Sequence, residues 1–201
     1  MIYLFIDTSS KNLIISIVKN MEMIYYFYEE NIKESSSKIM PILDEGFKKT
    51  NLKPNDINKI FIVTGPGSFT GIRVGLTLAK VMAFSLNIPL IPISELELLS
   101  TISNNDIIVP MIDARRGYVF AGVYDNKLNN IKPDEYILKE ELLNKITNYE
   151  IVTDGKPDIL KIIKKHEKDE PINPHLIKPN YLKLTEAEEN LNDKRKNNWK
   201  Y

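Results

Sequence analysis

The chain has 201 residues, 27 basic and 27 acidic side chains, no Cys and two His, which bounds it to one large or two small domains. Balanced charge argues against a protein that grips nucleic acid through a broad excess of Lys and Arg, though not against an accessory role nearby. Zero Cys excludes disulfides, thiolate zinc sites and cysteine nucleophiles, and leaves His166 and His175 as the only imidazoles.

From the start, Ile2 to Asp7, Leu13 to Val18 and Met23 to Tyr28 read as three strands. Polar turns at Ser9-Ser10-Lys11-Asn12 and Lys19-Asn20 separate them, so an antiparallel meander is expected. The apolar run at the N-terminus is far short of the ~20 residues of a membrane span, no span is expected elsewhere, and the expected location is cytoplasmic. A helix is predicted from Ser37 to Thr50, with Ile39, Leu43 and Phe47 on one face and Pro41 in its first turn. A buried strand at Ile57 to Val63, a helix at Phe69 to Leu86 and a strand at Leu90 to Ile93 complete a first half.

The second half opens like the first. Ile108 to Asp113 repeats Ile2 to Asp7 at an offset of 113 − 7 = 106 residues, followed by the turn Ala114-Arg-Arg-Gly117 and a strand from Tyr118 to Tyr124. Strands at Ile131 to Leu138 and Glu150 to Thr153 and helices at Glu140 to Ile146 and Pro157 to Lys165 keep the order. This predicts two related lobes, 1–101 and a reduced 102–201, because a β-β-β-α-β-α unit can close a core of its own. A Pro-rich stretch from Pro171 to Pro179 and a charged tail from Tyr181 to Tyr201 follow, with Trp199 and Tyr201 near its end.

Four of the eight glycines fall in Thr64-Gly-Pro-Gly-Ser-Phe-Thr-Gly-Ile-Arg-Val-Gly75, after a strand and opening a helix. Such turns cradle phosphates in many proteins, yet neither the P-loop nor the G-x-G-x-x-G spacing is met, because Thr70 stands where glycine is required. Gly67, Gly71, Gly75, Ala79 and Ala83 instead recur every four residues. A small-residue stripe admits another helix at backbone distance, and packing on the chain's own sheet explains it equally well.

Asp7 and Asp113 end corresponding strands, where a carboxylate faces a cleft; capping of the following turn is the competing role. His166 and His175 read as surface residues, and Tyr25 to Tyr28 and Tyr118-Val-Phe120 as strand packing rather than a base-stacking platform. Arg is scarce, at Arg73, Arg115, Arg116 and Arg195 only, which hints at places where a planar fork is useful.

Phe5-Ile-Asp-Thr-Ser9, Gly65 to Arg73, Asp113-Ala-Arg-Arg-Gly117 with Val119, Lys178-Pro-Asn-Tyr-Leu182 and Glu186-Ala-Glu188 together resemble the TsaB (YeaZ) family of bacterial tRNA threonylcarbamoyladenosine (t6A) proteins. The resemblance implies an α/β, actin-like ATPase (ribonuclease H-like) fold with two related lobes. It implies a non-catalytic scaffold that docks on and activates a TsaD-type catalytic subunit, with a TsaE-type ATPase in the complex. It also implies no membrane, no metal and no cofactor of its own, with ATP and Mg²⁺ at most at the complex interface and tRNA reached only indirectly. The implied interface comprises Ile39, Met40, Leu43, Phe47, Gly67, Thr70, Gly71, Arg73, Val74, Gly75 and Ala79, a face that also permits a homodimer. Asp7, Thr8, Ser9, Gly65 and Ser68 are left as a vestigial phosphate edge. Ser35 departs from the family, whose members often carry His there. The alternative from the enzyme class is a small ATPase or phosphotransferase using Asp7 or Asp113 to position Mg²⁺ and water.

Overall fold

The computed structural model describes residues 1–31 and 35–183; Glu186, Glu188 and the Trp199 and Tyr201 end of the tail lie outside them. β1 (Ile2–Asp7), β2 (Leu13–Lys19) and β3 (Glu22–Glu29) form the expected meander, with Tyr3 opposite Val18 and Ile15 opposite Phe27. β4 (Lys59–Val63) and β5 (Leu90–Ile93) extend it in parallel, giving the order β3-β2-β1-β4-β5. Between them run α1 (Ser35–Thr50), α2 (Phe69–Leu86) and, after β5, α3 (Glu95–Ser100).

β6 (Ile108–Asp113), β7 (Tyr118–Tyr124), β8 (Asn130–Leu138) and β9 (Glu150–Val152) form a second sheet of order β8-β7-β6-β9. Strand for strand, this repeats the first four positions of the first sheet, antiparallel twice and then parallel. The repeat offset in the sequence therefore marks a repeated topology, the ribonuclease H-like arrangement of actin-like proteins. α4 (Lys139–Leu143) and α5 (Ile159–His166) follow β8 and β9.

Alternation sorts the first sheet's side chains onto two covered faces. Leu4, Ile6, Ile60 and Ile62 face α1 and α2, where Ile39, Leu43, Phe47, Leu76 and Ala79 complete one core. Tyr3, Phe5, Phe61 and Val63 face the other way and meet Leu98 of α3 and Ile159, Ile162 and Ile163 of α5. So the segment after the second sheet returns to the first lobe: Ile177 joins the α1/α2 core, and the Asn180 N–H donates to the Thr64 carbonyl at 2.8 Å. The sequence boundary at 101/102 follows α3 immediately, but residues 159–181 belong structurally with the lobe that precedes it. The second sheet's own core is smaller, built on Val109, Met111, Val119, Ala121, Ile137 and Leu142.

Several expectations shift. α1 starts two residues earlier than predicted, so Pro41 lies inside the helix rather than in its first turn. α2 is long and apolar enough to cross a membrane by length and composition alone, a test that a core helix also passes; here Gly71, Gly75, Ala79 and Ala83 are buried on the chain's own sheet. α3 was not predicted, although Ser94-Glu-Leu-Glu97 carries the S-x-x-E spacing of a helix start. Its Ser94 hydroxyl accepts from the Leu96 N–H at 3.2 Å, and all six of its residues are buried because it lies between the two sheets.

Candidate functional site

Two surfaces gather the residues singled out in the sequence: the cleft at the end of β1 and the groove between α1 and α2. The cleft, about 1090 Å³, is bordered by Ser9, Gly67, Ser68, Glu95, Asp113 and Asp154. Asp7 is buried at its base and caps the following turn, accepting at Oδ1 from the Ser9 N–H and from the Ser9 hydroxyl, both at 2.7 Å. The same hydroxyl lies 3.0 Å from Glu95 Oε2. A hydroxyl has one proton, so if it donates to Asp7 the bond to Glu95 requires a protonated Glu95. Burial raises both carboxyl groups above their ordinary values; for Glu95 the Asp7 charge adds to burial, while for Asp7 the Ser9 bonds oppose it. Glu95 is thus the neutral partner and Asp7 the anion, a pairing invisible in sequence because the two are 88 positions apart (95 − 7) and meet only across α3.

The glycine-rich turn closes over this pair. The Ser68 N–H donates to the Ser9 carbonyl at 2.6 Å, and the Ser68 hydroxyl accepts from Gly71 N–H at 3.2 Å. A Cβ at Gly67 would overlap the Ser9 carbonyl, one at Gly71 the Thr8 carbonyl, and one at Gly75 the Thr8 hydroxyl. The glycines therefore exist to let α2 lie against the end of β1. Asp7, Ser9, Ser68 and Glu95 are linked to one another by hydrogen bonds. Asp113 is exposed at the end of β6 and, among the described residues, accepts only from Arg115 N–H at 3.2 Å. Across the cleft Lys11 and Asp154 pair at 2.5 Å, both about half exposed, and such pairs contribute little.

The residues expected at an interface divide between the groove and the interior of the chain. Ile39, Leu43 and Phe47 are in the core, with Ile39 also lining the groove, and Gly71, Gly75 and Ala79 are buried against β1 and β4. Hydrophobic period alone could not tell an inward face from a docking face. What remains outward is a depression of about 670 Å³ lined by Met40, Phe69, Thr70, Arg73, Val74 and Leu78, with Met40 55% and Phe69 50% exposed. Phe69 and Leu78 were not among the sequence candidates; Phe69 is half exposed at the start of α2, while Leu78 is partly buried against the core.

The expectation for the histidines divides. His175 is exposed, against the Phe84 ring. His166 is not a surface residue: it bridges Glu97 at 2.9 Å and Asp169 at 2.6 Å, while Lys165 bonds the same Glu97 oxygen at 2.5 Å and also reaches the Leu128 carbonyl. Burial disfavours the imidazolium, but the two carboxylates outweigh it and the His166 pKa is raised; likewise burial is outweighed for Glu97, which is lowered by His166 and Lys165. This cluster fastens α5 to α3.

Residues 29–181 match the family model for TsaD, tRNA N6-adenosine threonylcarbamoyltransferase. The tRNA threonylcarbamoyladenosine biosynthesis protein TsaB of Bacillus subtilis is 36% identical over 71% of this chain and 65% of its own length. The protein of that name from Buchnera aphidicola (Acyrthosiphon pisum) is 29% identical over 94% of this chain and 86% of its own. Among solved structures, YeaZ from Pseudomonas aeruginosa superposes with a TM-score of 0.76 over 90% of this chain and 99% of that one, at 16% identity. Glycine-rich turn, repeated sheet order and matched span agree, and the chain belongs to the TsaB (YeaZ) family within the group that the TsaD model describes.

Proposed function

We propose that this protein serves tRNA t6A synthesis in the cytoplasm as a non-catalytic subunit, docking the α1/α2 groove on a TsaD-type catalytic subunit and stabilising its active conformation. The observation that carries this reading is the outward apolar groove of Met40, Phe69, Val74 and Leu78, flanked by Thr70 and Arg73. A helix pair with an unpartnered apolar depression suits the corresponding helices of a homologous actin-like partner, packed ridge into groove. A TsaE-type ATPase joins the assembly through the catalytic subunit. The mutual bonding of Asp7, Ser9, Ser68 and Glu95 supports a chain that contributes no catalytic group or cofactor of its own.

The test is light scattering after size exclusion, on the chain alone and mixed with the TsaD-type subunit, with and without ATP and Mg²⁺. A one-to-one complex is expected to replace monomer or homodimer. Met40→Glu and Thr70→Glu, both exposed on the groove, should each weaken it at least ~10-fold, as expected for a central contact. Undiminished binding by both variants, or ATP turnover by the isolated chain, would overturn the reading.

A further inference from the structure

Beside the docking groove lies a second depression, of about 370 Å³, between α2 and the segment that runs back along it from His175, against Phe84, to Tyr181, against Phe69. It is lined by Lys80 of α2 and Tyr181 of that segment, and it shares Phe69, Arg73 and Thr77 with the groove. Whatever fills it therefore also covers one margin of the docking surface. Phe69 stacks on Tyr181 with centroids 5.1 Å apart, and the Arg73 guanidinium lies 5.1 Å from the Phe69 centroid. Among the described residues neither Arg73 nor Lys80 makes an ion pair or a hydrogen bond through its side chain, so two cations border the depression without a partner there.

The chain itself supplies the opposite charge. Eighteen residues follow Lys183 (201 − 183), and the first ten, 184–193, carry Glu186, Glu188, Glu189 and Asp193 and no basic residue. They start at the rim of the depression, where the chain turns: Leu182 is left-handed, with φ of 53°, and the Lys183 N–H donates to the Tyr181 carbonyl at 2.6 Å, a three-residue reversal. The turn is held on both sides, by Phe69 against Tyr181 and by the Lys183 ammonium 5.0 Å from the Tyr136 centroid. Arg73 and Lys80 are seven positions apart on α2, about 10 Å along its axis. The five residues from Tyr181 to Glu186 span up to ~17 Å and the eight to Glu189 up to ~27 Å, so both cations are within reach while Tyr181 stays in place.

We propose that residues 184–193 dock on this depression of their own chain, their carboxylates meeting Arg73 and Lys80, as an autoinhibitory strap over the margin of the docking groove. The occupant is the chain's own acidic segment because it is tethered: a link of a few residues gives it an effective concentration that a separate acidic peptide lacks. Arg73 is the shared residue. It cannot serve the strap and the partner at once, so the partner displaces the tail, and its apparent affinity is reduced by the fraction of chains that are open. Ion pairs on an exposed surface are weak and screened by salt, which suits a contact that has to give way. The effect on docking rests on the proposed role of the groove; the contact itself does not.

The chain has no Cys, so one introduced pair of thiols reports the contact. In the full chain, Thr77→Cys with Ala187→Cys, under glutathione disulfide, should close an intrachain disulfide at least ~10-fold faster than a control pair in which Lys164→Cys, exposed on α5 at the opposite face of the sheet, replaces the α2 site. Glu186→Gln, Glu188→Gln and Glu189→Gln together should bring that rate down toward the control. The same three changes, or Lys80→Gln, which lies outside the groove lining, should tighten binding of the TsaD-type subunit about 3- to 10-fold at low salt, and the gain should vanish near ~0.5 M salt. Met40→Glu should lose the partner and leave the disulfide rate unchanged, so the two readings fail separately. A rate equal to the control's, or disulfides only between chains, would overturn the strap. Partner binding that the tail variant leaves unchanged or weakens would overturn its competing role.

Discussion

At Gly71 and Gly75 a missing Cβ decides where α2 can lie. Thr8 fills the space with its carbonyl over Gly71 and its hydroxyl at Gly75, and that hydroxyl donates to the Gly71 carbonyl at 2.7 Å. Because the obstruction at Gly71 is backbone, it cannot rotate away. Gly71→Ala should therefore cost about 1–3 kcal/mol of stability in the isolated chain, the usual scale of overpacking, measured as a lower urea midpoint with no partner present. An unchanged midpoint would return the stripe to a docking role. The spacing of the glycines was legible in the sequence, but their direction was not, because a stripe that admits a strand end and one that admits a foreign helix have the same period.

Among the elements, α3 shows why part of the site stayed hidden. Six residues with two Glu look like a surface turn in sequence. Buried between two sheets, each carboxyl instead needs a distant partner: Glu95 finds Asp7 and Ser9, and Glu97 finds Lys165 and His166. The strands, as short apolar runs bounded by local turns, were predicted nearly to the residue, and so were the long helices. Pairings between residues about 70 positions apart had no local signature (His166 − Glu97 = 69).

The cluster has a pH consequence with a definite sign. His166, raised above 6.5 by folding, contributes stability that is complete below 6.5 and is lost as pH rises through its folded value. Glu97, lowered from 4.5, contributes stability that is complete above 4.5 and is lost as pH falls through its folded value. Anchoring of α5 is thus fullest between about 4.5 and 6.5. The raised Asp7 and Glu95 also favour the acid side, so the difference between wild type and His166→Gln isolates the cluster. That difference in urea midpoint should shrink from pH 6 to pH 8.5. Glu97→Ala, which leaves two cations around an emptied site, should cost about 3 kcal/mol. A pH-independent difference would remove His166 from the anchoring role.

For the whole molecule, the repeated sheet order suggests two units, but the packing does not divide where the repeat does. Ile159, Ile162 and Ile163 cover the face of the first sheet opposite α1 and α2, and Ile177 enters the α1/α2 core. A chain ending at residue 152 keeps every strand of both sheets yet leaves Phe5, Phe61, Val63 and Ile93 without the α5 part of their cover. Such a truncation should lose its cooperative thermal transition and bind a hydrophobic dye, whereas a chain ending at residue 183 should keep the transition. A cooperative 1–152 fragment would show that the returning segment is dispensable.

That return also fixes an order of events during synthesis. The last strand of the first sheet is complete at Ile93, and the helix that closes its second face ends its apolar contacts at Ile163, 163 − 93 = 70 residues later. At the ~5–20 residues per second of translation, that face waits roughly 4 to 14 s on the ribosome before its own cover emerges. A nascent chain of this kind is a natural client for holding chaperones, and slowing elongation over residues 94–163 would lengthen the interval in which it can aggregate.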